Sequence, residues 1–286
     1  MPIQNIAIFA KVHDPRCQQI AHDLINWLDS NGLQPLAEEH LTRHLGLSQT
    51  KSDDEIRDKA DLVVVLGGDG TLLSVARLFS GRQIPILGVN LGSLGFLTDT
   101  TVEELYPLLQ RCLGGEIFVC KRMMLTVGVR RDGRIVHKCD ALNDVVISKG
   151  ALARILDLET TINQHMLTTF KSDGLIISTP TGSTGHSMSA GGPIVHPKMS
   201  CIIINPICPH TLTNRPIVLS DQSVICVTLS SYDKKAYLTV DGQVGFELQE
   251  GDEIEVQRSQ NTTDLIMPSS RDYFEVLRTK LKWGER

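Results

Sequence analysis

The chain has 286 residues, of which 41% are hydrophobic and 21% charged, the composition of an ordinary water-soluble protein with one large or two medium domains. A formal net charge of −5 without a run of Lys or Arg argues against nucleic acid as a partner. The 7 cysteines contain no CxxC pair, and no segment approaches the roughly 18 apolar residues of a membrane span, so we expect a reduced, cytoplasmic protein that does not enter a membrane.

The first part of the chain alternates short apolar runs with amphipathic stretches, which is typical of an α/β domain with an open, mostly parallel sheet. The predicted strands are 6–9, 62–66 and 84–89, and the predicted helices are 16–30, 72–79 and 102–113. Residues 38–58 are polar, so we expect a mobile surface segment there.

From about residue 122 the pattern changes to short segments rich in Val, Ile and Thr, separated by turn residues. It predicts strands at 124–130, 134–139, 144–148, 155–162, 174–179, 201–205, 223–229, 236–242 and 253–256. We therefore expect a β-rich, β-sandwich-like second domain. The predicted division is 1–120 for the α/β nucleotide-binding domain, 121–268 for the β-rich domain and 269–286 for a C-terminal tail that packs back on the first domain.

A glycine-rich junction follows the apolar run 62–66 and consists of Gly67, Gly68, Asp69, Gly70 and Thr71. Its glycines allow a sharp turn and close approach of a ligand, and the free N–H groups of a following helix attract phosphate. A carboxylate would repel phosphate, so Asp69 indicates a chemical role, either accepting a proton from an attacking hydroxyl or holding Mg²⁺. The alternative is a turn in which Asp69 caps the helix. The spacing matches neither GxGxxG nor a P-loop.

Two further loops carry polar residues at the ends of predicted strands. Asn90, Gly92, Ser93, Gly95 and Phe96 follow the strand 84–89, at the sheet edge where ligands of open α/β sheets bind. An ordinary glycine-rich connection is the alternative. Asn143 and Asp144 precede an apolar run, where such a pair can hydrogen-bond the 2′- and 3′-hydroxyls of a ribose. A two-residue turn is the alternative there.

The segment 181–193 is rich in small and hydroxylated residues and follows a predicted strand. Such a backbone lets a nucleotide approach closely, and Ser and Thr hydroxyls can bind phosphate or ribose oxygens. The flanking strand residues and two prolines argue against the alternative, a flexible linker.

Two groups of charged or titratable side chains have competing interpretations. Arg154 and Lys171 can supply positive charge to a pyrophosphate or can be exposed strand residues. His40 and His44 lie four residues apart beside Glu38, a spacing that suits either a metal site or a surface helix; the order is not HExxH, which favours the helix.

Motifs distributed over the chain, taken together, resemble the NAD kinase family. These are GGDGT at 67–71, NLGSLGFLTD at 90–99, ALNDVVI at 141–147, SDGLIISTPTGSTGHSMSAGGP at 172–193, PHTLTNRPIVL at 209–219, DGQ at 241–243 and YFEVLRTKLKWG at 273–284. GGDG by itself is shared with diacylglycerol, sphingosine and phosphofructokinase enzymes, whereas TPTGST followed by SAGGP is much more specific. The resemblance covers nearly the whole chain.

The resemblance implies an enzyme that transfers the γ-phosphoryl group of ATP to the 2′-hydroxyl of the adenosine ribose of NAD, giving NADP and ADP. It implies Mg²⁺ or another divalent cation bound with ATP, with Asp69 as its one candidate protein ligand and no fixed metal site. Homodimers or homotetramers are implied too, and Asp69 resembles the family's proton acceptor. The implied nucleotide- and substrate-binding residues are Gly67, Gly68, Asp69, Gly70, Thr71, Phe96, Asn143, Asp144, Arg154, Lys171, Asp173, Thr184, Gly185, His186, Ser187, Met188, Ser189 and Gln243.

The sequence departs from the family at two places and leaves two other functions open. Gly185-His186 replaces the usual Ala-Tyr, so a smaller, titratable ring stands where an aromatic ring would stack on a base. Leu91 follows Asn90 where the family often has Arg or another polar residue. A lipid or sugar kinase and a regulator that senses NAD or NADP without turnover are the alternatives. Polar strand ends argue against a lipid pocket, and Asp69 argues against a regulator.

Overall fold

A computed structural model describes residues 3–11, 13–47, 51–92, 95–150, 154–211, 213–230, 235–268 and 272–284. The chain forms two compact units, Met1–Lys121 with Thr263–Arg286, and Arg122–Thr262. The division at 120 and 268 stays a prediction.

The first 113 residues alternate strands with helices. In chain order these are β1 (Asn5–Ala10), α1 (Pro15–Ser30), β2 (Gln34–Ala37), α2 (Glu39–Leu45), α3 (Asp53–Lys59), β3 (Leu62–Leu66), α4 (Asp69–Leu78), β4 (Ile86–Val89) and α5 (Val102–Leu113).

The rest of the chain is mostly β. Its elements are β5 (Val119–Arg131), β6 (Arg134–Ala141), β7 (Asp144–Lys149), β8 (Leu156–Ile162), β9 (His165–Ser172), β10 (Gly174–Ser178), a 3₁₀ turn (Thr181–Thr184), α6 (His186–Ser189), β11 (Cys201–Ile207), β12 (Ile217–Ser220), β13 (Ile225–Leu229), β14 (Ala236–Val240), β15 (Val244–Leu248), β16 (Glu253–Ile266) and α7 (Tyr273–Leu281).

The first unit contains a parallel sheet with the strand order β2, β1, β3, β4, followed by the last residues of β16. All residues of β3 are buried, as expected for a central strand covered on both faces. Helix α1 begins with Asp14, whose side chain accepts a hydrogen bond from Arg16 N, followed by Pro15 at the first helical position. Helix α7 belongs to this unit.

The segment 38–58, expected to be a mobile surface segment, contains helices α2 and α3. Because the segment is mostly polar, two local features that favour helices were not recognised in its sequence. Ser52 and Glu55 form a reciprocal capping box at the start of α3, and Leu41 and Ile56 are fully buried. Two apolar side chains on the inner face are enough to hold these short helices against the unit, although most of their residues are polar.

The second unit consists of two antiparallel sheets. One has the strand order β12, β11, β10, β7, β14, β15, and the other joins β9, β8, β13 and the first part of β16, with β5 and β6 attached. Alternate residues of both sheets, such as Val145 and Leu158, enter one apolar core. Together with the parallel sheet of the first unit, this arrangement confirms the predicted fold class.

Strands β9, β12 and β15 were not predicted from the sequence. Their alternate residues remain partly exposed, so their apolar pattern is weak. Pairing with neighbours decides their structure: β9 forms a hairpin with β8, and β15 forms one with β14. In the part of the chain that the structure describes, no helix is long and apolar enough to cross a membrane.

Candidate active site

The loops that follow β1, β3 and β4 surround a cavity of about 420 Å³ in the first unit. We call it the donor cavity; its lining includes Lys11, Gly67, Gly68, Asp69, Gly95 and Lys280. It lies at the carboxyl ends of parallel strands, where open α/β sheets bind ligands. The two glycine-rich loops predicted to bind a ligand therefore meet at one place.

Asp69 is the first residue of α4, and its carboxylate is held by the loop after β4. Oδ1 accepts hydrogen bonds from the N–H groups of Leu97 at 3.1 Å and Thr98 at 3.0 Å and from the Thr98 hydroxyl at 3.0 Å. Oδ2 accepts one from Phe96 N at 2.9 Å. These donors fix the orientation of the carboxylate. The alternative of a helix cap is wrong, because within the described residues the cap of α4 is Gly68 without a side-chain bond.

Gly95 is required by this arrangement. A Cβ at Gly95 would stand 1.9 Å from Asp69 Oδ1 and 2.5 Å from the Thr98 hydroxyl oxygen, far closer than any real contact. The loop can approach the carboxylate this closely only without a side chain at that position. The loop 90–99 is thus more than an ordinary glycine-rich connection, because it positions Asp69.

The remaining predicted residues near Asp69 have different environments. Gly67 is buried, Gly68 and Thr71 are half-buried, and Gly70 is exposed in the first turn of α4. Phe96 is half-buried and contributes its backbone N–H to Asp69. Ser93 lies outside the described residues.

In the second unit, Leu142 and Asn143 connect β6 to β7, and Asp144 is the first residue of β7. The carboxylate of Asp241 accepts hydrogen bonds from three successive N–H groups of this turn: Asn143 at 2.7 Å, and Leu142 and Asp144 at 3.2 Å each. Asp241 itself has a φ of 50°, directly after β14. Asn143 Oδ1 is buried and has no hydrogen-bond partner among the residues described, so it retains its capacity to accept one.

Asp144 is 4% exposed. Burial, and to a smaller extent the nearby Asp241 carboxylate, raises the pKa of its carboxyl to about 7. Its Oδ2 atom lies 3.8 Å from the Cβ position of Gly185, so Asp144 adjoins the start of α6. A buried carboxyl that changes charge near neutral pH is a common feature of binding and catalytic sites.

The segment 181–189 forms the 3₁₀ turn and helix α6 rather than an open loop. A Cβ at Gly182 would stand 2.2 Å from Asn143 O, so the turn packs directly on the backbone of Asn143. The Ser183 hydroxyl donates to Pro180 O at 2.6 Å, and the Thr184 hydroxyl donates to Thr181 O at 3.3 Å. These hydroxyls are therefore engaged inside the protein, contrary to the expectation that they face a ligand.

The rest of this segment includes more accessible side chains. His186 and Ser189 are exposed, Gly185 and Met188 are half-buried, and Ser187 is fully buried. The side chains of His186 and Ser189 are the ones accessible to a ligand in this segment of the described chain.

Arg154 and Lys171 line a second cavity, of about 450 Å³, together with Lys149, Asp157 and His210. Lys149 Nζ lies 2.8 Å from Asp173 Oδ1, and Lys171 Nζ lies 3.8 Å from Asp157 Oδ1. The structure thus places Arg154 and Lys171 in the lining of one cavity of the second unit, and Asp173 is connected to that lining through its ion pair with Lys149.

Comparison with known proteins identifies the chain. Residues 6–117 match the family model described as the ATP-NAD kinase N-terminal domain, and residues 142–267 match the ATP-NAD kinase C-terminal domain. The chain belongs to the NAD kinase family. Curated NAD kinases from Geobacter sulfurreducens and Trichlorobacter lovleyi are 63% and 62% identical to it, over 99% of this chain and 100% of each relative.

Two solved NAD kinase family structures share the fold. Yeast NADH kinase, solved with NADH, superposes with a TM-score of 0.93 at 27% identity, covering 100% of this chain and 89% of that chain. An NAD kinase from Archaeoglobus fulgidus, solved with ATP, superposes with a TM-score of 0.76 at 23% identity, covering 98% of this chain and 100% of that chain. Membership of the NAD kinase family decides against a lipid or sugar kinase with the same GGDG loop.

Two residues of this NAD kinase chain lie inside the quoted motifs but were not predicted as site residues. Asp241 belongs to the DGQ motif, but only Gln243, exposed in the turn after β14, was predicted as a site residue. The dipeptide Asp241-Gly242 with positive φ at both residues is a tight-turn signal that marks the position. Lys280, which lines the donor cavity from α7, lies 211 positions from Asp69, too far for any local pattern to connect them.

Histidines in the first unit do not form the metal site that their spacing allowed. His40 and His44 lie on α2, and His44 Nδ1 is 2.8 Å from His40 O. Over the described chain, no group of three or more His, Cys, Asp or Glu side chains is arranged to hold a metal ion. His40 and His44 are both exposed on α2, as the surface-helix interpretation expects.

Proposed function

We propose that Asp69, oriented by the 96–98 backbone, accepts the proton of the NAD ribose hydroxyl while the γ-phosphoryl group of ATP is transferred to it. The chain is an ATP-dependent NAD kinase, which forms NADP and ADP. The observation that carries the assignment of Asp69 is its fixed carboxylate at the wall of the donor cavity.

The hydrogen bonds leave Oδ2 as the atom for this chemistry. A carboxylate offers about four lone-pair directions, two on each oxygen. Oδ1 already accepts three hydrogen bonds, whereas Oδ2 accepts one within the described chain. Proton transfer requires the acceptor hydroxyl to come within about 3 Å of Oδ2, directly or through one water molecule.

The donor set also fits Mg²⁺ bound with ATP. Magnesium is commonly held by one or two carboxylates together with substrate phosphates, and Asp69 Oδ2 supplies a single such ligand. When bound, the ion neutralises charge on the phosphate oxygens. In this proposal Gly67 and Gly68 let the phosphates approach the backbone, and Gly70, Thr71 and Phe96 complete the surroundings of Asp69.

The second unit supplies the groups for NAD. Asn143 and Asp144 bind the adenosine ribose, with the buried Asn143 Oδ1 as one acceptor. Arg154, Lys171 and Asp173 contact the dinucleotide at the second cavity, whose cations suit a pyrophosphate. The segment 184–189 borders the adenine and ribose pocket, with His186 and Ser189 as its accessible side chains, and Gln243 adds a contact. The complex of the yeast relative with NADH supports a dinucleotide as the ligand.

The test is Asp69→Asn, which keeps the size of the side chain but removes its basicity. We expect kcat to fall about 100-fold to 10,000-fold with NAD affinity unchanged. NADP formation, followed with an NADP-dependent dehydrogenase, measures kcat, and calorimetry measures NAD binding. Asp29→Asn, exposed on α1, is the matched control. Near-normal turnover of a folded Asp69→Asn protein would exclude both the base and the metal-ligand role.

Assembly and location follow from the family resemblance. We infer a cytoplasmic homodimer or homotetramer. Analytical ultracentrifugation of the purified chain tests the assembly, and cell fractionation tests the location; a monomer at micromolar concentration would contradict the first inference.

A further inference from the structure

We propose that Lys280 on α7, together with Lys11 after β1, binds the terminal phosphates of the nucleotide donor. This inference rests on the proposed function and assigns cationic groups to the donor cavity. It makes the C-terminal helix a part of the donor-binding site.

Lys280 differs from the other cations at the end of the chain. It is half-buried and lines the donor cavity with Gly67, Gly68 and Asp69. Arg278 and Lys282 are exposed and are absent from that lining in the described structure. Of these three cations, Lys280 is the one placed in the lining of the donor cavity, which a generally basic helix would not explain.

Helix α7 is held firmly enough to present Lys280 at a defined place. Asp272 caps its first turn by accepting a hydrogen bond from Glu275 N at 2.8 Å. Val276 and Leu277 are buried, at 6% and 3% exposure, and fix one face of the helix in the first unit. Lys280 lies one turn beyond Val276 and so follows the same face.

Lys11 lies beside the glycine-rich loop and also lines the donor cavity. Its N–H donates to Leu66 O at 2.9 Å, so its backbone continues the pairing of β1 with β3. Its Cβ lies 3.5 Å from where a Cβ on Gly67 would stand. The Lys11 side chain therefore starts beside the glycine-rich loop, and the flexible stem of a lysine can carry its ammonium group to a phosphate bound there.

The charges at the cavity suit a triphosphate. Asp14 is paired with Arg16 at 3.3 Å, so the charges of these two residues offset each other. Within the described chain, no ion pair of Lys11 or Lys280 is found, and both residues line the cavity with Asp69, a cavity whose lining contains no second unpaired acidic group. Two ammonium groups and a divalent cation would neutralise most of the charge of bound ATP.

The test is steady-state kinetics of Lys280→Gln and Lys11→Gln in the full chain. We expect each change to raise KM for ATP about 10-fold to 100-fold, the value of one hydrogen bond between charged groups, with KM for NAD unchanged. Lys280→Arg keeps a positive charge at this position, so it should retain most of the ATP affinity that Lys280→Gln loses. Lys282→Gln, an exposed lysine at the end of the same helix, is the matched control and should behave as the wild type.

A second measurement separates phosphate binding from a structural role. Equilibrium binding of ATP, ADP and AMP should show that Lys280→Gln weakens ATP most and AMP least, because the lost contact is with the terminal phosphates. An unchanged KM for ATP, or an equal loss for all three nucleotides and for NAD, would overturn the inference. If the wild-type protein itself forms no NADP, the proposed function fails instead.

Discussion

The two units each hold a critical carboxyl group, and they treat it in opposite ways. Asp69 in the first unit is surrounded by N–H and hydroxyl donors. Asp144 in the second unit is buried, and this burial, together with the nearby Asp241 carboxylate, raises the pKa of its carboxyl to about 7. Hydrogen-bond donors fix a carboxylate in one orientation. Burial beside a like charge instead raises the pKa of a carboxyl, so that its protonation changes near neutral pH. The first environment suits a group that must be positioned for chemistry, and the second suits a group whose binding strength varies with protonation.

Among the changes that compare the surroundings of these two carboxyl groups, the largest expected effect comes from disturbing the orientation of Asp69 without removing its carboxylate. Gly95→Ala would place a Cβ 1.9 Å from Asp69 Oδ1, so the carboxylate or the loop must move. We expect kcat to fall about 100-fold, the usual result of a displacement of roughly 1 Å at a reacting group. The rate of NADP formation at saturating ATP and NAD measures kcat of this variant.

The control for this change is Gly128→Ala, because a Cβ at Gly128 in β5 meets nothing within 4 Å. It should leave kcat unchanged. Normal turnover of Gly95→Ala would show that the orientation of Asp69 is not needed, and the contrast between the two carboxyl groups would lose its functional meaning.

The next effect concerns the pH dependence of stability caused by Asp144. Its pKa is raised in the folded state from 3.8 to about 7, so the folded chain retains a proton that the unfolded chain releases. Its contribution to stability is therefore fully present below the unfolded pKa and is lost as pH rises through about 7. Asp144→Asn removes this dependence. The free energy of unfolding of Asp144→Asn minus that of the wild type should therefore be larger by a few kcal/mol at about pH 8 than at about pH 5.

Urea denaturation at the two pH values measures this difference. Glu159→Gln, on an exposed position of β8, serves as the control and should show no such change. If the difference between Asp144→Asn and the wild type is the same at both pH values, Asp144 is ionised throughout and does not differ from an ordinary carboxylate.

The smallest effect comes from weakening the support of the Asn143–Asp144 turn. Asp241→Asn replaces a charged acceptor of three N–H groups by an amide. We expect a loss of about 1–3 kcal/mol in the free energy of unfolding and a higher KM for NAD, with KM for ATP unchanged. Denaturation and initial-rate kinetics measure both.

Asp132→Asn is the matched control for this change. Asp132 and Gly133 occupy a turn with φ values of 49° and 75°, close to the 50° and 67° of Asp241 and Gly242, but Asp132 is exposed. Equal losses in the two variants would assign the effect to the turn backbone and not to the carboxylate that supports Asp144.

Local sequence patterns were sufficient for much of the fold. The apolar run of β3 predicts a buried central strand, and the three glycines around Asp69 predict the turn into α4. They were not sufficient for α2 and α3, where a capping box and two buried side chains outweigh a polar composition. They also failed for the Ser183 and Thr184 hydroxyls, because composition does not reveal which hydroxyls the backbone uses internally.

By itself, the sequence determined the family, the two classes of domain and the identity of Asp69 as the residue of interest, because these depend on motifs and periodicity within short stretches. The tertiary structure alone decided the surroundings of each carboxyl group. Asp69 is held by residues 27–29 positions away, and the turn of Asp144 is held by Asp241, 97 positions away. Hydrogen bonds and burial act through space, so contacts between distant segments become visible only once the chain is folded.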